Sequence, residues 1–75
     1  MNQHLPHYKP GVSFGPEGVR FSVVSQHAEA IFLCLFDKGG NREIHRHAMS
    51  RAPGSIFTVV LKGIKPGQRY GYRAD

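Results

Sequence analysis

The chain has no tryptophan, one cysteine and no long apolar run. With Cys34 alone, no internal disulfide can form. Flanked by Leu33 and Leu35, that thiol reads as a small buried hydrophobe, and a free thiol without an oxidised framework fits a reducing cytoplasm. The longest apolar run, Ala30 to Phe36, is far short of the ~20 residues a membrane helix needs. Met1 to Tyr8 carries histidines and a proline where a secretion signal would carry an apolar stretch. The expectation is a soluble, cytoplasmic protein without a membrane partner.

The inventory for catalysis is equally thin. The carboxylates are Glu17, Glu29, Asp37, Glu43 and Asp75, scattered over turns, a polar segment and the last position. Glycoside hydrolysis needs two carboxyl groups across a sugar-sized cleft, and no motif here marks a pair. Gly15-Pro16-Glu17-Gly18 has glycines but no following helix or lysine to cradle a phosphate. None of the serines sits in a nucleophile-elbow context. No catalytic residue and no cofactor is predicted, and the chain alone is read as not an enzyme.

What the chain does have is punctuation. Nine glycines and five prolines among 75 residues divide it into short segments rich in β-branched and aromatic residues. Strands are predicted at about 18–25, 29–37, 42–49, 55–61 and 68–73, with a further short piece near 12–14. Lys65-Pro66-Gly67-Gln68 has the signature of a type II turn, with glycine where a positive φ is required. Residues 51–54 read as a loop. Five to seven short antiparallel strands make an all-β protein, an immunoglobulin-like β-sandwich, with an open barrel of the OB type as the alternative. Residues 1–11 form an N-terminal arm and 12–75 the domain. Alternation places Phe21, Leu33, Leu35, Val59, Tyr70 and Tyr72 in the core.

Two local features stand out. The 29–37 segment is apolar on both faces: Ile31, Leu33 and Leu35 on one, Phe32, Cys34 and Phe36 on the other. A strand with one solvated face does not look like that, so Phe32 and Phe36 are candidates for a docking surface against another domain. The competing expectation is that the N-terminal segment, with Leu5 and Tyr8, covers them. The second feature is His45-x-His47. Two residues apart on a strand share a face, so both imidazoles reach toward one point; a zinc site needs at least a third ligand, and no other histidine has motif spacing to the pair. The formal charge of +5 invites a nucleic-acid reading, but the lysines and arginines form no cluster, which argues against it.

Three segments resemble, in order and in register, the N-terminal domain of isoamylase-type enzymes, a carbohydrate-binding-module type of the α-amylase superfamily. They are Gly15-Pro16-Glu17-Gly18-Val19-Arg20-Phe21-Ser22-Val23-Val24-Ser25, then Ala28 through Asp37, then Leu61-Lys62-Gly63-Ile64-Lys65-Pro66-Gly67-Gln68-Arg69-Tyr70-Gly71-Tyr72-Arg73. The last is the most specific, and the bacterial glycogen-debranching branch is the most similar. The resemblance implies a β-sandwich fused to a catalytic amylase barrel that hydrolyses α-1,6 branch linkages. The barrel's carboxylates lie downstream of any residue here. It implies a non-catalytic accessory domain that helps position an α-glucan such as glycogen and packs against the barrel, in cis or in trans; which residues would bind the sugar is not indicated. Family members continue past the position of Asp75, so the chain is expected to be an excised domain, a truncated product or a remnant. Phe57 stands where the family often has Trp, and Arg20 where it often has Asn. The alternative function is a stand-alone interaction module for a protein or nucleic acid.

Overall fold

The computed structural model describes residues 11–75, and every regular element among them is a β-strand. The strands are β1 (Gly11–Gly15), β2 (Gly18–Val24), β3 (Ile31–Phe36), β4 (Glu43–Ala48), β5 (Ser50–Ala52), β6 (Ile56–Leu61) and β7 (Arg69–Ala74). They form two antiparallel sheets, β1-β2-β6-β5 and β4-β3-β7. This is the immunoglobulin-like sandwich expected from the sequence, with seven strands. No helix of the described residues is long and apolar enough to cross a membrane. Residues 1–10, which include Leu5, Tyr8 and nearly all of the proposed arm, lie outside the described residues.

Glycine chemistry fixes the turns. Gly18 enters β2 with φ +138°, and a Cβ there would lie 2.5 Å from the Leu61 carbonyl oxygen, so the neighbouring strand approaches only because no side chain is present. Gly67 has φ +89°, and the Gln68 N–H closes the turn on the Lys65 carbonyl at 3.2 Å. In the β3–β4 loop Asp37 holds the chain itself. Its carboxylate accepts the N–H groups of Asn41 at 3.0 Å and Arg42 at 3.3 Å.

The core lies between the sheets. Val19 and Phe21 of β2 and Phe57 of β6 face Ile31, Leu33 and Leu35 of β3, with Ala28 and Met49 closing the ends and Val23, Val59, Leu61 and Ile64 packed around them. Leu33 has no exposed surface at all. Truncating such a side chain loses both transfer energy and its contacts, so this cluster carries most of the domain's stability.

Two expectations need correction. The first concerns Tyr70 and Tyr72. They point to the inner face as predicted but remain 43% and 36% exposed. Alternation fixes the side of a sheet, not whether anything covers it, and β7 is an edge strand among the described residues. The second concerns 51–54. Ser50–Ala52 is a short strand paired with β6, and Arg51 carries its load. The Arg51 guanidinium sits 4.7 Å from the Phe57 ring centroid and donates to the carbonyls of Ala28 at 3.1 Å and Glu29 at 3.2 Å. A residue read as surface charge ties the β5 edge to the segment that leads into β3. On the opposite face of β2, Ser22 is buried and its hydroxyl is bonded to that of Thr58 at 3.1 Å.

Candidate functional site

Strand β3 runs between β4 and β7, so its outer face is bordered on both sides. There Phe32 lies opposite Ala48 and Arg73, Cys34 opposite Arg46 and Gly71, and Phe36 opposite Glu43 and Arg69. The pairing slips by one residue between Leu35 and Phe36. That bulge matters, because residues three apart on a regular strand point to opposite faces. With the slip, Glu43 and Arg46 share the outer face. Arg46 Nε donates to Glu43 Oε2 at 2.8 Å, and Arg46 Nη2 to Oε1 at 3.2 Å. From β7, Arg73 Nε reaches the same carboxylate at 3.4 Å.

This network spans the position of Cys34, which is 1% exposed. Hydrogen bonding and charge from Arg46, with Arg73 adding to it, hold the Glu43 carboxyl below its ordinary range. Exposed ion pairs of this kind contribute little energy; the cluster lies beside the position of Cys34, opposite Arg46 in the ladder. The aromatic neighbours are less deeply buried. Phe32 and Phe36 are half-buried, and the Phe36 ring leans over Gly71, 3.6 Å from where a Cβ would stand. The outer face is thus an arginine–glutamate cluster between two partly exposed phenylalanines.

His45 and His47 share the inner face of β4, opposite Leu35 and Leu33. Their ring centroids are 6.1 Å apart. They line a concavity of about 390 Å³ with Leu35, Ile44, Leu61, Lys62, Gly63, Ile64 and Gln68. Among the described residues, no group of three or more His, Cys, Asp or Glu side chains comes together to hold a metal ion. The pair therefore lines an open end of the sandwich, with a lysine beside it.

The edge formed by β1 and β7 is different again. Val12 and Phe14 stand opposite Phe21 and Val19 and so point inward, yet Phe14 is 72% exposed. Tyr70 meets Phe21 edge-on at 5.0 Å between centroids, and Tyr72 meets Tyr70 the same way at 5.9 Å. Partial burial, with Tyr70 adding to it, pushes the Tyr72 phenol above its ordinary value. A cleft of about 280 Å³ opens here, lined by Val12, Phe14, Ile64, Pro66 and Tyr70 among others. Strand alternation alone could not find this cleft, because it depends on what is absent opposite β7.

Two of the carboxylates are engaged in structural contacts. Glu43 is tied up by arginines, and Asp37 by its own loop. The fold defines a small two-sheet β-sandwich module. Against protein families, residues 6–75 match carbohydrate-binding module 48, the isoamylase N-terminal domain, and the chain belongs to that family. It is 47% identical over 75 residues to the glycogen debranching enzyme of Yersinia pestis bv. Antiqua (strain Angola), covering 95% of this chain and 11% of that protein. With the glycogen debranching enzyme of Cronobacter sakazakii (strain ATCC BAA-894) it shares 45% identity over 64 residues, covering 85% of this chain and 9% of the enzyme. The chain therefore spans about a tenth of the length of these relatives.

Solved structures agree on the fold. A pullulanase from Paenibacillus barengoltzii, in complex with maltohexaose and α-cyclodextrin, superposes with a TM-score of 0.80 at 22% identity over 92% of this chain and 11% of the pullulanase. The Group B Streptococcus pullulanase SAP gives 0.77 at 22% identity over 93% of this chain and 10% of that protein.

Proposed function

We propose that this chain acts as the non-catalytic accessory domain of a glycogen-debranching glycosidase. In this reading it helps position an α-glucan and rests against a catalytic barrel supplied in cis or in trans, in a reducing cytoplasm. The observation that carries the proposal is the match of nearly the whole chain to a carbohydrate-binding-module family, joined to its identity with one segment of debranching enzymes. The outer face of β3 supports the docking part. Phe32 and Phe36 are only half-buried, although they belong to a strand whose other face is entirely buried. A barrel seated there would remove that apolar surface from water.

The test is a chimera. The matching segment of the Yersinia pestis debranching enzyme is replaced by this chain, and release of reducing ends from glycogen is compared with a variant lacking the segment. The replacement is expected to restore at least about tenfold of the lost rate, through positioning rather than chemistry. The isolated chain should release nothing. A folded chimera no more active than the deletion would refute the proposal, as would hydrolysis by the pure 75-residue chain.

A further inference from the structure

We infer that the concavity between β4 and the segment after β6 is a binding site for a small phosphate monoester with an apolar body, held by His45, His47 and Lys62. The first observation is a break in the sandwich pattern. His45 and His47 lie on the inner face of β4, opposite Leu35 and Leu33, where a sandwich strand normally presents apolar side chains. Two imidazoles there forgo apolar burial, and departures of this kind from local rules gather at functional sites. The ring centroids stand 6.1 Å apart, close enough for both side chains to donate to one ligand head group.

The second observation is that these side chains are uncommitted. Among the described residues, no hydrogen bond or ion pair engages the side chain of His45, His47 or Lys62. The arginines of the same sheet differ: Arg46 and Arg73 are held by Glu43, and Arg69 by the Lys38 carbonyl. Gln68 also lines the concavity, but its amide nitrogen donates to the carbonyls of Phe36 at 2.8 Å and Arg69 at 2.9 Å, which fixes that wall.

The third observation, the chemistry of the lining, selects the ligand. Leu35, Leu61 and Ile64 supply apolar surface, and a concavity of about 390 Å³ is large enough for a small molecule. Lys62 and the two imidazoles complete it, and no Asp or Glu lines it. The two carboxylates at this end of β3 are engaged elsewhere, Glu43 with Arg46 and Arg73 and Asp37 with the backbone of its loop. A metal cation would sit beside the Lys62 ammonium with no carboxylate to offset it. An anion meets that charge together with imidazole N–H donors. A phosphate monoester carries about −1.5 to −2 charge at pH 7 and three acceptor oxygens, one for each side chain. This inference stands apart from the glycosidase proposal, since the site requires neither a barrel nor a glucan.

The probe is phenyl phosphate, titrated into the 75-residue chain at neutral pH while backbone amide resonances are followed residue by residue. Shifts are expected at His45, His47, Lys62 and Ile64, saturating with a Kd of about 1 mM or tighter. Phenol and inorganic phosphate each present half of the ligand and should bind at least about fivefold more weakly. Lys62→Met keeps the aliphatic stem and removes the charge, and should weaken phenyl phosphate by about fivefold. Lys65→Met, outside the lining, should leave its binding within about twofold of the wild type. Both lysines are exposed, so neither variant threatens the fold. No shift at about 10 mM phenyl phosphate, or shifts confined to another part of the chain, would overturn the inference. Equal weakening by the two lysine variants would reduce it to general charge attraction. Equal binding of phenyltrimethylammonium would leave an apolar hollow indifferent to charge, and equal binding of inorganic phosphate would remove the apolar body from the ligand. Nickel ions shifting both histidines at lower concentration than phenyl phosphate would give the pair to a metal and overturn it too.

Discussion

The two faces of β3 carry the same kind of residues and meet different fates. On the inner face Ile31, Leu33 and Leu35 are all buried by the opposite sheet. On the outer face no second layer exists among the described residues, and the chain improvises. Cys34 is buried beside the cluster of Glu43, Arg46 and Arg73, while Phe32 and Phe36 stay half-buried. A small domain has mass for one core. Long charged side chains can shelter apolar residues beyond such a core, because their aliphatic stems cover apolar surface while their heads remain in water. The inner face supplies stability; the outer face is the one we propose rests against a partner.

The largest expected effect tests the inner face. Leu33→Ala should cost roughly 2–5 kcal/mol, read as a lower denaturation midpoint with an unchanged slope. Total stability for natural domains is about 5–15 kcal/mol, so adding Leu35→Ala should leave the chain unfolded. A Leu33→Ala variant melting with the wild type would erase the distinction between the faces.

A smaller effect sharpens the outer face. If the arginine–glutamate cluster is what shelters Cys34, Arg46→Ala should speed labelling of the thiol by an aromatic disulfide reagent about tenfold or more at a pH where the fold is intact, since access governs the reaction of a buried thiol. Unchanged labelling would mean that the strands themselves shield the sulfur.

Smaller still is the pH response of that cluster. Glu43 has a folded pKa below its unfolded value, chiefly because Arg46 donates to it. The associated stability is present above the unfolded pKa and is lost as pH falls through the folded one. Melting curves from neutral to acid should show a slight extra loss in the wild type that Glu43→Gln lacks. Identical pH profiles would show that the cluster contributes nothing in solution.

The contrast between the faces was legible in the sequence because period-two alternation separates them. Parity placed Phe21, Leu33 and Leu35 correctly, and turn glycines such as Gly67 marked the boundaries. Coverage was not legible. Tyr70 and Tyr72 share the parity of core residues, but whether a strand lies opposite depends on contacts distant in sequence. Ser50–Ala52 was missed because a short strand beside Pro53-Gly54 has the composition of a loop, and its value comes from Arg51 reaching Phe57 and two carbonyls far along the chain. The slip after Leu35, which brings Glu43 beside Arg46, leaves no mark in residue order.

The measurement that bears most directly on the proposal that this face docks a partner uses Phe32→Ser in two settings. In the isolated chain the substitution should shift stability by no more than about 1 kcal/mol, the span of strand preference, and should raise solubility. In the chimera with the Yersinia pestis enzyme, the same change should lower the melting temperature or the debranching rate measurably, because there Phe32 would lie against the barrel. A large loss in the isolated chain with none in the chimera would contradict this, placing Phe32 in the domain's own core and leaving the outer face without a partner.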